Sequence, residues 1–334
     1  MKNKSIVITS INQLTKSLVE IASKSLANNF HFIVIGDSKS PENFHLENCD
    51  FYSLDRQLKL DFKYSKACPV KHYARKNIGY LISIKNKASV IVETDDDNIP
   101  MAGFWEERKH TVSSTYSENG GWVNAYKYFS DENIWPRGFL LNKIHTPIVP
   151  YEKLPKRESY CPIQQGLADL NPDVDAIYRL ILPLPINFRQ DREILLSKGS
   201  WCPFNSQNTT WFPDAYPLLY LPYYSSFRMT DIWRSFIAQR IAWENNWSIL
   251  FHKATVYQER NEHNLMKDFE DEVVGYVNNE VICKELMQLP LSAGVENIAD
   301  NLRVCYKKLI DIGVVGNEEL QLLDFWLEDI SEMY

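Results

Sequence analysis

Residues Ser89 to Glu93, Ser-Val-Ile-Val-Glu, run straight into Thr94 and three consecutive aspartates, Asp95, Asp96 and Asp97, before Asn98. A short run of β-branched residues reads as a buried strand, and three acids cannot continue that burial, so the chain turns there. The segments upstream decide what kind of sheet this strand joins. Ser5 to Thr9 is a short apolar strand, and Leu14 to Ala27 carries Leu18, Ile21, Ala22 and Leu26 at helical spacing. Phe30 to Ile35 predicts a second buried strand, closed by Gly36-Asp37, and Lys71 to Asn86 predicts a helix before the strand at Ser89. Strands separated by helices pair in parallel, because a parallel return needs a long crossover. The expected fold is therefore α/β, Rossmann-like, with a mostly parallel central sheet flanked by helices. The three acids fall just past the carboxyl end of a strand, the edge at which open α/β sheets bind ligands.

The texture changes between 120 and 225, where prolines become frequent and aromatics scatter among short runs. Short strands and long ordered loops fit that pattern, and such loops commonly wall a binding site. Thr230 to Asn245 predicts an amphipathic helix, with Ile232, Trp233, Phe236, Ile237 and Ile241 on one face, Thr230 as cap and Asp231 in the first turn. Beyond His263 the pattern is helical to the end, with Leu302, Leu309, Leu320, Leu323 and Trp326 among the apolar positions. The expected organisation is a catalytic domain over 1–264 and a helical extension over 265–334. Within that domain, 1–120 forms a nucleotide-binding half and 121–264 an acceptor half.

Bulk properties narrow the function classes. The 334 residues can bury a large core, and a net charge of -7 without a basic block argues against a duplex nucleic-acid binder. Six cysteines lie far apart with no Cys-x-x-Cys pair, which fits free thiols in a reducing compartment better than zinc or disulfides. No apolar run approaches the ~20 residues that span a bilayer, and the amino-terminal strand is too short for a signal segment. The expected location is cytoplasmic, with peripheral contact at the inner face of the membrane as an option.

A hard divalent cation, Mn2+ or Mg2+, takes oxygen ligands and keeps open positions for phosphate oxygens. Asp95 and Asp97, two residues apart on a turn, can supply one side of that shell; a solvated acidic turn is the plain alternative. Arg75 and Lys76, at the start of the preceding helix, can hold a diphosphate, Arg as a bidentate fork and Lys as a point charge, or stand as an exposed basic pair. Asp37 can accept from a ribose or base edge or simply mark a turn, and Thr9 and Ser10 share that ambiguity. In Trp135-Pro136-Arg137-Gly138-Phe139 a rigid Pro and a flexible Gly bracket Arg137, which fits either a guanidinium aimed at a ligand or a packed turn. Asp231 is a candidate general base or sugar-hydroxyl ligand, or merely a dipole-favoured acid at a helix start. His252 and His263 are candidate third metal ligands, with a structural role as the alternative.

Several blocks taken in order resemble the STELLO family of glycosyltransferases. They are Ala74 to Leu81 (Ala-Arg-Lys-Asn-Ile-Gly-Tyr-Leu), Val90 to Asn98, Ile35 to Pro41, Asn205 to Thr209, Ser226 to Arg234, and Val256 to His263. More distantly, Asp95 to Asp97, Trp135 to Gly138 and Gln165 to Asp169 are similar to the reversibly glycosylated polypeptides, which are UDP-arabinose mutases; their Asp-Asp-x-Trp segment is echoed only in part by Thr230 to Trp233. The resemblance implies a GT-A-type fold in which Asp95 and Asp97 associate with the metal and Asp96 bridges to the ribose or sugar. It also implies that Arg75 and Lys76 serve the diphosphate and Asp231 the acceptor. Unlike the plant members, this sequence is not expected to carry a transmembrane anchor and a long companion domain.

The leading expectation is a glycosyltransferase that moves a sugar from a nucleotide-diphosphate donor, a UDP-sugar foremost, to a glycan or lipid-linked acceptor in cell-surface polysaccharide synthesis. Two alternatives remain at this stage. One is a nucleotide-sugar mutase that uses Arg137 to hold a transiently glycosylated state; the other is a non-catalytic scaffold that uses the helical end.

Overall fold

The computed structural model describes residues 4–118, 120–259 and 264–333. Thirteen strands lie within them: β1 (Lys4–Thr9), β2 (Phe30–Ile35), β3 (Cys49–Tyr52), β4 (Val90–Thr94), β5 (Asn98–Pro100), β6 (Thr111–Ser117), β7 (Gly121–Trp122), β8 (Lys156–Tyr160), β9 (Ile163–Asp169), β10 (Glu193–Leu196), β11 (Ser200–Trp201), β12 (Asn208–Trp211) and β13 (Ile249–Gln258). The helices are α1 (Lys16–Ser25), α2 (Leu54–Leu58), α3 (Lys63–Ala67), α4 (Lys76–Lys85), α5 (Ala176–Ile181), α6 (Thr230–Glu244), α7 (Leu265–Gln288), α8 (Ile298–Asp311) and α9 (Glu319–Ser331).

One large sheet runs in the order β3-β2-β1-β4-β12-β9-β13-β10-β6-β8, with β5 pairing on β13. Its first four strands are parallel. The expected α/β class holds, but beyond β4 the sheet is mixed, because β12 runs antiparallel to both β4 and β9 while β13 returns parallel to β9. β1 alternates: Ile6 and Ile8 pack with Leu18, Ile21 and Ala22 of α1, whereas Val7 faces Ile78 and Leu81 of α4. This two-sided burial explains why β1 reads as a continuous apolar run. The winding reverses between β1, which is followed by β2 on one side, and β4 on the other. Their carboxyl ends, Thr9 and Thr94, therefore flank a crevice of the kind that receives ligands in doubly wound sheets.

Three local expectations change. The helix predicted from Lys71 begins late: Lys71 has φ of 68°, Tyr73–Arg75 is a 3-10 turn, and α4 starts at Lys76. The Asp37 carboxylate holds the backbone N–H groups of Lys71 and His72, at 2.6 and 3.1 Å, and so fixes the late start. Thr230 does not cap α6; Met229 occupies that position and the Thr230 hydroxyl donates to the Ser226 carbonyl at 3.2 Å. Nor is α6 amphipathic, since every residue from Thr230 to Trp243 is buried. It lies between the sheet and the last helices, and its polar residues are satisfied inside. Arg240 donates to the carbonyls of Leu286 and Leu289, and Gln239 accepts from the Cys202 N–H at 3.0 Å.

The C-terminal helices share the main core, in which Leu286, Leu302, Leu309 and Trp326 join Tyr220 and Trp233. Glu319, at the start of α9, accepts from the N–H groups of Tyr223 and Tyr224 at 3.1 and 2.5 Å. Among the described residues no helix is long and apolar enough to cross a membrane. Five cysteines are free and buried, and Cys49 is half-buried.

A buried ion pair ties α6 to the sheet. Arg234 of α6 donates from both terminal nitrogens to Glu93 of β4, at 2.8 and 2.9 Å, with both side chains almost wholly buried. Trp211 adds an indole N–H bond at 2.8 Å and the Tyr80 hydroxyl a further one. Glu93→Gln leaves the guanidinium without its counter-charge, so urea unfolding should show a loss of about 3–5 kcal/mol. A loss no larger than that of a surface change, about 0.5 kcal/mol, would mean that the pair is not the clamp described here.

Candidate active site

Two adjoining cavities open at the carboxyl ends of β1 and β4. The first, about 290 Å³, holds Asp95, Asp96 and Asp97 on one wall and Arg137, Asp173, Arg228 and Asp231 on the other. The second, about 250 Å³, runs over Gly36, Asp37, Lys71 and His72. Each falls short of the ~300–1,000 Å³ usual for ligand sites. They share Thr9, Tyr73, Asp96 and Phe227, and together form one elongated cleft.

Side chains from three elements fix the acidic turn. Lys76, fully buried at the start of α4, donates to Asp95 Oδ1 at 2.9 Å and to the Thr94 carbonyl at 3.0 Å. Asn12 Nδ2 donates to Asp96 Oδ2 at 2.9 Å, and the Ser10 hydroxyl binds the same oxygen. Gln258, at the end of β13, places Nε2 at 3.1 Å from both oxygens of Asp97. Asp95 sits below the cleft rim, yet 39% of its side chain stays open to the cleft. Burial lifts its carboxyl to about 6, against the pull of the Lys76 ammonium and with the push of Asp97 and Asp96. Neighbouring carboxylates that raise one another in this way favour an incoming cation. Among the described residues no three His, Cys, Asp or Glu side chains are grouped to hold a metal. A shell of one or two carboxylates completed by phosphate oxygens and water needs no such group, and Asp95 with Asp97 fits it.

The opposite wall is built on Arg137. Gly138 follows it with φ of +85°, and a Cβ there would lie 2.4 Å from Ile232 Cγ2, so only glycine lets this turn press against the start of α6. The guanidinium then meets Asp173 from Nε and Nη2 at 2.8 and 2.9 Å, and Asp231 from Nη2 at 3.0 and 3.1 Å. Its Nη1 donates to the Arg228 carbonyl. Asp231 also accepts from the Ser206 N–H at 3.1 Å and from the Tyr73 hydroxyl at 3.3 Å. Although burial opposes it, the Arg137 charge holds the Asp231 carboxyl down to about 2. A carboxylate so weakly basic and so fully bonded orients neighbours better than it takes a proton.

The structure thus brings Thr9, Asp37, Asp95, Asp96, Asp97, Arg137 and Asp231 to one cleft. Arg75 borders it but turns inward, donating to Gln57 Oε1 at 2.9 and 2.5 Å and to the Cys68 carbonyl at 2.7 Å. Lys76 is equally committed, to the acidic turn. Neither presents the free charge that a diphosphate requires, because the short helix start points both side chains into the core. His252 lines a different cavity, beside Gln164 and Lys253, and its Nδ1 is 2.9 Å from the Lys253 carbonyl. It precedes Gln258 by six strand residues, roughly 20 Å, and so does not reach the acidic turn. His263 lies outside the described residues. Asp173, Arg228, Tyr73 and Gln258 escaped the sequence reading. Arg228 and Gln258 fall within blocks that carried the family resemblance, whereas nothing in the sequence marks Asp173.

Residues 228–334 match the family model of the STELLO glycosyltransferases. The Arabidopsis thaliana protein named Probable glycosyltransferase STELLO2 is 28% identical over 252 residues, 68% of this chain and 32% of that protein. Probable glycosyltransferase STELLO1 of the same plant is 26% identical over 269 residues, 73% of this chain and 33% of that protein. The chain is similar to the STELLO glycosyltransferases and spans about a third of the length of these curated proteins. Among solved structures, a mycobacterial protein overlays with a TM-score of 0.41 at 10% identity, covering 84% of this chain and 74% of its own. Glucosyl-3-phosphoglycerate synthase of M. tuberculosis overlays with a TM-score of 0.39 at 10% identity, covering 83% and 79%.

Because its folded-state value is depressed, ionised Asp231 contributes stability above its ordinary value of 3.8, and that contribution is lost as pH falls towards about 2. Urea unfolding of wild type and Asp231→Asn should therefore show a stability gap that is full at neutral pH and narrows below that ordinary value. A gap that stays constant with pH would contradict the ion pair with Arg137.

Proposed function

We propose that this chain is a GT-A-type glycosyltransferase that uses a nucleotide-diphosphate sugar and a divalent cation, Mn2+ or Mg2+. The observation that carries the reading is the acidic turn at the reversal point of the parallel strands, shared by two cavities that meet at Thr9, Tyr73 and Asp96. The cavity over Gly36, Asp37 and His72 takes the nucleoside. The cavity over Asp95 and Asp97 takes the diphosphate and sugar, and Asp96 stands at the junction, where a ribose or the sugar would lie.

Asp95 and Asp97 would hold the cation, which supplies Lewis-acid stabilisation of charge on the departing diphosphate. The chain's own residues do the rest. Lys76 and Gln258 set the two carboxylates in place before substrate arrives. Asp231, kept ionised by Arg137, orients a sugar hydroxyl from the far wall. In the transfer, the bond between the anomeric carbon and the diphosphate oxygen breaks, its electron pair leaving with the diphosphate. A hydroxyl of a glycan or lipid-linked acceptor bonds to that carbon and gives up its proton to the departing diphosphate or to water. Arg137 is wholly occupied by Asp173, Asp231 and the Arg228 carbonyl, so it has no free nitrogen with which to carry a sugar. This favours transfer to an external acceptor over a mutase.

A thermal-shift screen of nucleoside diphosphates and nucleotide sugars, with and without manganese, should find a metal-dependent rise in melting temperature for at least one donor. With that donor, Asp95→Ala and Asp97→Ala should abolish release of labelled sugar while the circular dichroism spectrum is retained. Undiminished turnover in both variants would refute the metal role.

A further inference from the structure

We propose that Arg228 is the cleft's phosphate-binding cation and that Glu272, on the C-terminal helix α7, is its positioning residue; the proposal rests on the nucleotide-sugar reading above. A leaving diphosphate needs directed donors in addition to a cation. Arg75 and Lys76 face the interior, and Arg137 has spent every nitrogen. Arg228 is placed differently. It lines the cavity opposite the acidic turn, and 16% of its side chain is exposed there. Its Nε and Nη2 both converge on a single oxygen, Glu272 Oε1, at 3.0 and 2.7 Å. Among the described residues its Nη1 has no hydrogen-bond partner, so one edge of a planar fork is held from behind and the other is left to donate.

Glu272 is built for holding. It is fully buried, and its second oxygen accepts from the Ala176 N–H and the Tyr276 hydroxyl, both at 2.7 Å. The backbone under Arg228 is fixed as well. The Ser226 hydroxyl donates to the Asp271 carbonyl at 2.8 Å, and Arg137 binds the Arg228 carbonyl from the cleft side. Met229 packs so closely on α7 that a Cβ on Gly275 would lie 2.2 Å from its Sδ. Glu272 cancels much of the arginine's net charge. What Arg228 then offers is the fixed direction of its N–H donors, which suits phosphate oxygens better than it suits an apolar or neutral group. The C-terminal helices thereby become part of the substrate site.

Calorimetry on the full chain can test this with UDP, GDP and ADP, each with manganese and each compared with its own nucleoside. Arg228→Gln should weaken the best-bound diphosphate by roughly ten- to hundredfold and leave its nucleoside unchanged. Arg228→Lys should recover only part of the loss, because the fork is missing. Glu272→Gln should weaken the diphosphate but spare the nucleoside, a selective loss that a merely structural role would not produce. If Glu272→Gln lowers both in parallel, or if Arg228→Gln binds the diphosphate at wild-type strength, the proposal is overturned while the nucleotide reading stands. If wild type binds none of the three diphosphates, the nucleotide reading fails and the proposal fails with it.

Discussion

The buried ion pair between Glu93 and Arg234 sets the geometry on which the rest of the cleft depends. Glu93 on β4 and Asp95 on the turn that follows both meet α4, through Tyr80 and Lys76, so their side chains leave the same face of the sheet. Asp231 and Arg234 are three residues apart on α6, so theirs leave the same side of the helix. Locking Glu93 to Arg234 therefore turns the acidic turn and Asp231 toward one space. Removing two charges from water is expensive, and here the cost is offset by the Trp211 indole, the Tyr80 hydroxyl and the Asn205 and Leu219 carbonyls, the last two at 3.2 and 3.4 Å from Arg234. An apolar pair of equal volume would pack as well but would not fix the rotation of α6 against β4.

The same logic repeats at the surface of the cleft. Lys76, Asn12 and Gln258 each take one aspartate of the turn, and Arg137 takes Asp173 and Asp231. Every restraint comes from a different element, so the carboxylates are held by the whole fold and not by their own loop. Such preorganisation leaves little to rearrange when charge develops on a leaving group. It also explains why so many of the chain's cations are unavailable to substrate. They are spent on placing acids, and Arg228 differs because its acid stands behind it.

What could be read from the sequence follows from how local each signal was. β1, β2 and β4 are buried on both faces, so their apolar runs and the parallel sheet they build were legible, and with them the position of Asp95 to Asp97. The Trp135 to Gly138 turn was legible as unusual but not as a strut, because its partners, Asp173 and Asp231, lie 36 and 94 residues away. Arg75 and Lys76 looked like surface cations because an Arg-Lys pair at a helix start usually is one. Only the observed packing shows Gln57 and Asp95 waiting for them. The helix at Thr230 looked amphipathic for a similar reason: its polar residues are buried by distant partners, Arg234 by Glu93 of β4, Gln239 by the Cys202 N–H and Arg240 by the Leu286 and Leu289 carbonyls. The antiparallel pair β9 and β12 left almost no trace, since its polar residues are buried: Gln165, Asn208 and Thr209 bond one another, and Gln164 bonds the Lys109 and Cys161 carbonyls.

The account stands or falls on a cation held by the acidic turn together with a nucleoside diphosphate. Electron paramagnetic resonance of Mn2+ titrated into protein and UDP reads that directly, since bound and free manganese give different signals. Wild type should take up manganese when UDP is present, and Asp97→Asn, folded as judged by circular dichroism, should bind it at least about tenfold more weakly. Equal uptake by the two proteins, or no uptake by wild type with UDP, would contradict the account.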